Sequence, residues 1–539
     1  MNQTIKKRRA IAAVVAAVLV AATVATTAPA NAAEPFVPDH AGFPNPTEHS
    51  QQAYEPESDF TSKWTRADAM QMKAMSDPTA PAGENSMPED VTMPTVPQDF
   101  PDMSNDEVWV WDSWTLTDGS SDQPSYKGWE VLFSLVADRD LGFDERHLYA
   151  RLGYFFRKAD IPDDQRPENG GWTYGGLVFP ENDVTSSSTA IFEDRSFSHY
   201  TQWSGSTRLM EDDKLRLFYT SVAFFRDPVT NADTKPYDPR LVQTEGRIFA
   251  DETGVWFTGF RDQHELLKAD GEYYQNGEQN PFFNFRDPFT FEDPANPGET
   301  YMVFEGNTAV PRENRACTAD DLGYAEGDPE AESLDEVLES GATYQMANVG
   351  LAVSENLAMT DWKFLPPILS ANCVTDQTER PQIYIEDGKY YLFTISHRGT
   401  YAWNIDGPEG VYGFVGDGIR SDFQPMNQGS GLVLGNPTNL NIPRGDPFAP
   451  AVGQHPGHFQ SYSHYVMPDG LVQSFIDTIG TSDDFTRGGT LAPTVRLDID
   501  GSNSRVDRSY GVDGLGGWAD VPSNLAANVP STPDPRPTP

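Results

Sequence analysis

Asp112 stands in the middle of residues 108–116, VWVWDSWTL, flanked by Trp111 and Trp114. A carboxylate is costly to desolvate, so an acid inside a run of Val, Trp and Thr needs a partner or a task. Flat apolar walls around one charged oxygen suit a sugar ring at a reacting centre. The alternative is an edge-strand acid facing water. Three further stretches interrupt apolar runs with charge or hydroxyls. FFNFRDPF at 282–289 sets Arg286 beside Asp287, with Pro288 fixing the backbone after them. TDQTERP at 375–381 places Gln377, Glu379 and Arg380 where a strand begins. WSGS at 203–206 is a turn with an aromatic, Trp203, and two hydroxyls, one of them on Ser204. Singly, each also reads as a surface ion pair or a plain turn. Phe225-Arg226-Asp227-Pro228 even repeats the Arg-Asp-Pro pattern.

The elements that must position these residues are strands. From about 104 to 480, short runs such as WEVLFSLVA, LRLFYTSVAFF, TYMVFEG and YYLFTIS recur between clusters of Gly, Pro, Asp and Asn. Many short strands with turn signals indicate a sandwich, a barrel or a propeller. No fixed-period repeat is visible. Residues 33–95 are rich in Pro, Asp, Glu and Ser and read as an extended arm laid over a surface, or as partly disordered. One helix is expected within it, over 67–75 with Thr65 as its cap. Residues 327–340 form an acidic insertion with room for a short helix, and the chain ends in a Pro-rich tail, PSTPDPRPTP.

Composition narrows the function. The 539 residues carry a formal net charge of −43. Such a surface repels nucleic acid and anionic membranes and suits a neutral substrate. Lys6, Lys7, Arg8 and Arg9, an apolar stretch over 10–23 and Ala30-Asn31-Ala32 make a secretory signal with cleavage before Ala33. The domain plan is therefore a signal peptide over 1–32, an N-terminal extension over 33–100, a catalytic domain over 101–520 and a flexible tail over 521–539. After export the chain is expected to be extracellular and soluble. Cys317 and Cys373 are the two cysteines. In an oxidising compartment they are expected to form one disulfide, the alternative being two buried thiols.

Taken together and in this order, VWDSW at 110–114, QWSGS at 202–206, FRDP at 285–288, DQTERP at 376–381, YLFTISHRGTYA at 391–402 and YSHYVMPDG at 462–470 resemble the levansucrase and inulosucrase family. These are the bacterial sucrose-splitting fructosyltransferases of glycoside hydrolase family 68. The resemblance implies an all-β fold, a five-bladed β-propeller with a central acidic pocket, plus a short N-terminal helical arm. It makes Asp112 the nucleophile, Glu379 the acid/base and Asp287 the transition-state stabiliser. In a retaining enzyme the nucleophile and the acid/base stand about 5 Å apart. Mutual repulsion among the carboxylates would help keep Glu379 protonated. Arg286 and Arg380 would limit that repulsion and bond sugar hydroxyls. Trp111 and Trp203 would pack on sugar faces, and Ser204 would bond near the nucleophile. Gln377, His397 and Tyr462 would touch the glucosyl unit or the acceptor.

The chain departs from the common family pattern at Gln202, Gln377 and His397. Pro281 stands where calcium-holding members carry an Asp, so no cofactor and no metal is expected. Asn348 and Asp376 are the groups that would leave calcium open. The implied partners are sucrose and sugar acceptors, with no nucleic acid and no membrane after export. His397, Arg398 and residues 401–425 are where product control is expected. The alternatives are a β-fructofuranosidase that hydrolyses sucrose or makes short transfer products, and a carbohydrate-binding propeller without turnover.

Overall fold

In the computed structural model, strand after strand is buried along its whole length rather than on alternate residues. Residues Trp129–Asp138 are buried except for the last, and Thr300–Asn307 are buried throughout. Such strands are covered on both faces, which happens when sheets pack face to face around a common centre. The structure describes residues 55–521 apart from 105, 120–124, 163–164, 180–189, 261–262, 341–343, 443–458 and 481–483. The chain divides into Met1–Gln52 and Ala53–Pro539, and every described residue lies in the second unit. The expected signal peptide, its cleavage site and nearly all of the Pro-rich tail fall outside the described residues.

Five antiparallel sheets follow one another along the chain. Their innermost strands are β1 (Val108–Thr117), β2 (His199–Leu209), β3 (Phe285–Glu292), β4 (Glu379–Glu386) and β5 (Ser461–Val466). Each pairs with a strand that follows it closely in the chain, and the sheet then grows outward by hairpins. The inner strands touch in the closed cycle β1, β2, β3, β4, β5 and back to β1. That cycle is a five-bladed propeller, as expected. The first two blades are also joined by a short parallel pairing of Leu116 with Thr207 and Thr117 with Arg208.

The N-terminal arm is packed onto the blades. Helix α1 (Arg66–Ala74) is within one residue of the expected span at each end, and Thr65 and Asp68 form a reciprocal capping box. Trp64 is buried against Tyr401, Tyr412 and Phe414 of the fourth blade. The buried Arg66 side chain donates to the carbonyls of Cys373 and Trp403 and pairs with Glu332. Ser62–Lys63 adds a parallel strand to the edge of the third blade. The acidic insertion contains a short helix, Leu334–Glu339, capped by Ser333. Cys317 and Cys373 form a disulfide that closes a separation of 56 residues.

Candidate active site

One irregularity recurs in all five inner strands, in the first half or at the middle of each. In β1, Trp111 pairs with Leu135 and Trp114 with Phe133, so Asp112 and Ser113 together oppose one residue. The same single-residue bulge falls between Trp203 and Gly205 in β2 and between Arg286 and Phe289 in β3. It falls between Glu379 and Gln382 in β4 and between Tyr462 and Tyr465 in β5. A bulge turns a side chain out of the alternation and re-aims it. The re-aimed pairs are Trp111-Asp112, Trp203-Ser204, Arg286-Asp287, Glu379-Arg380 and Tyr462-Ser463. Four of the bulge residues are left-handed without being glycine: Asp112 at φ 49°, Asp287 at 63°, Arg380 at 46° and Ser463 at 55°. Each costs about 1–2 kcal/mol, and strain of this kind gathers at functional sites.

Local sequence explains how the bulges fit. Pro288 and Pro381 follow Asp287 and Arg380 at positions where the bulge asks for no ladder N–H. Gly205 is required in WSGS because a Cβ there would collide with the carbonyl oxygen of Phe218.

The three candidate carboxyls are tied into one network. Ser463 donates to Asp112 Oδ1. Asp287 is buried; its Oδ1 accepts from Ser204 at 2.6 Å and its Oδ2 from the Arg380 N–H at 3.2 Å. Ser204 thus bonds Asp287, whose carboxyl feels the charge of Asp112. Glu379 Oε1 lies 2.7 Å from Arg286 Nη2, and its Oε2 accepts from the Tyr462 hydroxyl at 2.7 Å. His397 stacks on Tyr462 with ring centroids 3.8 Å apart, and its Nε2 lies 3.8 Å from Glu379 Oε2. Arg286 Nε also pairs with Glu305 Oε2 at 2.7 Å. Arg286 and Glu305 are direct cross-strand partners.

Trp203 is half-buried; its ring nitrogen is anchored on the His147 carbonyl at 2.9 Å, and the Arg286 guanidinium lies over its ring at 5.8 Å. Trp111 is buried, with Arg146 above it at 5.4 Å. The Gln377 carbonyl oxygen accepts from Ser396, which fixes the backbone two residues before Glu379. The Arg380 guanidinium donates to the main-chain carbonyls of Ser463 and Ser113.

The electrostatics sort the carboxyls. Burial pushes Asp287 up to about 6, Asp112 and Glu379 push the same way, and Arg286 and Ser204 oppose. Burial, with Glu379 and Asp287 adding to it, lifts Glu305 well above the usual range despite Arg286. Glu379 goes the other way. Burial raises it, but Arg286, His397 and the Tyr462 hydroxyl outweigh burial and leave it below its ordinary value. The expectation that carboxylate repulsion would favour a protonated Glu379 is therefore not met, because the Arg286 guanidinium is aimed at Glu379. Arg286 itself is stabilised as a cation; burial opposes the charge and is overcome by Glu305, Glu379 and Asp287.

Three participants were not singled out from sequence: Glu305, Ser463 and Arg146. Glu305 carries the same signal as Asp112, a lone acid in an apolar strand. Asp227 is elsewhere in role: its carboxylate accepts from the Val229 and Thr230 N–H groups at a turn. No group of three or more His, Cys, Asp or Glu among the described residues is arranged to hold a metal ion. Pro281 is exposed. Asp376 is pushed up to about 6 by burial, which Arg312 opposes.

Residues 53–519 match the family model described as levansucrase/invertase, glycoside hydrolase family 68. The chain belongs to that family. As a family-68 protein it is a carbohydrate-active enzyme, and enzymes of this family are generally cofactor-independent. The chain is 66% identical to the full-length β-fructofuranosidase from Microbacterium saccharophilum K-1, with a TM-score of 0.85 and 89% of each chain covered. It is 58% identical over 489 residues to a levansucrase of Gluconacetobacter diazotrophicus, covering 90% of this chain and 82% of the relative. An extracellular sucrase of Zymomonas mobilis is 37% identical over 445 residues, covering 82% and 91%. The matched span of the family-68 model takes in all five bulges and the helical arm.

Proposed function

We propose that the protein cleaves sucrose by double displacement and transfers the fructosyl unit to an acceptor. The observation that carries this is the convergence of Asp112, Asp287 and Glu379, from three different inner strands, at bulges in the same position. Asp112 attacks the anomeric C2 of the fructosyl unit, and the bond from C2 to the glucosyl oxygen breaks. Glu379 gives its proton to that oxygen, and a covalent fructosyl-enzyme forms on Asp112. Glucose leaves. Glu379 then takes a proton from water or a sugar hydroxyl, whose oxygen attacks C2 and frees Asp112. Asp287 holds the fructosyl hydroxyls and stabilises the positive charge that develops on the ring. Trp111 and Trp203 supply the apolar walls. Gln377, His397 and Tyr462 face the glucosyl unit and the acceptor. The expected partners are accordingly sucrose and sugar acceptors.

The names of two relatives support this reading from different sides: levansucrase for transfer to a growing chain and β-fructofuranosidase for hydrolysis. Hydrolysis with short transfer products is the second reading, and the 66% identity to the β-fructofuranosidase favours it. Export through residues 1–32 belongs to the same proposal, and a relative named as an extracellular sucrase supports it. The test is incubation of the purified protein with sucrose alone, assaying free glucose and free fructose and sizing the remaining carbohydrate. Glucose in excess of fructose is transfer. Equal amounts are hydrolysis. No glucose overturns the reading and leaves a binding propeller.

A further inference from the structure

A bulge removes backbone groups from the ladder. In β1 the bulge contains Ser113, and in β5 it contains Ser463, and both residues are buried. A buried carbonyl cut off from its ladder partner needs another donor. Both carbonyls are served by one side chain that comes from neither strand. Arg380, on β4, donates from Nη1 to the Ser463 carbonyl and from Nη2 to the Ser113 carbonyl. Its own N–H donates to Asp287 on β3. The residue is 6% exposed, so both forked nitrogens end on main chain inside the protein. The clamp crosses the seam where the last blade meets the first, and it grips the main chain directly after Asp112 and Tyr462.

We infer that Arg380 is a positioning residue: its guanidinium holds the bulges of β1 and β5 in the shape that aims Asp112 and Tyr462, and it does not bind sugar. This rests on the reading of Asp112 as nucleophile and Glu379 as acid/base. The chemistry of the fork explains the residue type. Two carbonyls on two strands need a planar, rigid pair of donors, and a lysine ammonium is a single point on a flexible stem. The three residues that the clamp relates, Asp112, Arg380 and Ser463, all hold left-handed backbones. The clamp therefore supports the local strain that the pocket depends on.

Steady-state kinetics on sucrose with Arg380→Lys and Arg380→Gln test the assignment. A misaimed nucleophile lowers kcat, by roughly 100-fold, and leaves KM within about threefold of the parent. A KM raised tenfold or more with kcat retained makes Arg380 a sugar ligand and overturns the inference. Unchanged kcat and KM overturn it as well. If the variants do not fold, the crystal structure of Glu379→Gln with sucrose bound decides. The expected result is a guanidinium still on the Ser113 and Ser463 carbonyls and out of hydrogen-bond reach of every sugar oxygen. A sugar oxygen within that reach overturns the inference. Glucose release by the unaltered protein is read separately, so failure of the sucrose reading is distinguishable from failure of the clamp.

Discussion

The Tyr462 hydroxyl donates to Glu379 Oε2 at 2.7 Å. A hydrogen bond to the ionised form of an acid favours ionisation. Tyr462→Phe removes it, so Glu379 keeps its proton to higher pH. The alkaline limb of the sucrose-cleavage profile should move up by about one pH unit, while kcat at the optimum falls. Initial rates across pH 4–8 check this. An alkaline limb that stays put or moves down refutes the assignment of Glu379 as the acid.

Asp112→Asn and Glu379→Gln should each lower sucrose turnover by about a thousandfold or more, with the thermal transition preserved. The two variants should differ on a fructoside whose leaving group is acidic enough to depart unaided. Glu379→Gln should recover fructosyl-enzyme formation on that substrate, and Asp112→Asn should not. Recovery in Asp112→Asn with none in Glu379→Gln would mean that the roles are reversed.

Asp287→Ala should abolish catalysis, whereas Asp227→Ala should only lower the melting temperature slightly. The Asp227 carboxylate serves a turn, accepting from Val229 and Thr230. Severe loss of turnover in a folded Asp227→Ala protein would show that the wrong Arg-Asp-Pro was chosen.

Asp376 is raised from 3.8 to about 6 by burial. The folded state thus binds its proton more tightly than the unfolded state does. The stability this gives is present below about pH 4 and is lost as pH rises towards 6. Asp376→Asn has no such proton to lose. Its melting temperature should vary less between pH 4 and 6, and at pH 7 it should exceed that of the parent. Calorimetry across that window is the measurement, and a variant less stable at pH 7 with an unchanged slope contradicts it.

The disulfide between Cys317 and Cys373 closes a 56-residue separation. The chain-entropy model assigns such a loop about 4 kcal/mol. Replacing both cysteines by serine should lower the unfolding free energy, read from denaturant titration, by a matching amount without changing KM for sucrose.

Much of the site was legible in the sequence because the bulged residues break a rule of local pattern. Asp112 and Glu379 are acids where a strand should be apolar, and Pro288 and Pro381 are prolines where a ladder should continue. Helix α1 was legible for a similar reason, since its cap and first turn are local. Glu305 was not found, although it stands in an apolar run, because nothing near it in sequence names its partner. Its pairing with Arg286 depends on register between β3 and the following strand. The pull of Arg286 on Glu379 joins two blades and is likewise invisible to local reading. The blade count came from family resemblance, since strand runs alone fit a sandwich or a barrel equally well.

Side chains along a strand alternate in phase, and one extra residue resets that phase. The five inner strands are each reset once, at the residues that carry the candidate site. The alternation on one side of the reset is the opposite of that on the other. A single-codon deletion at any of these five places would turn the remainder of that strand inside out. It would exchange, in one stroke, the side chains that the strand presents to its two covered faces. At these positions natural variation should therefore accept exchanges of residue type far more readily than changes of chain length.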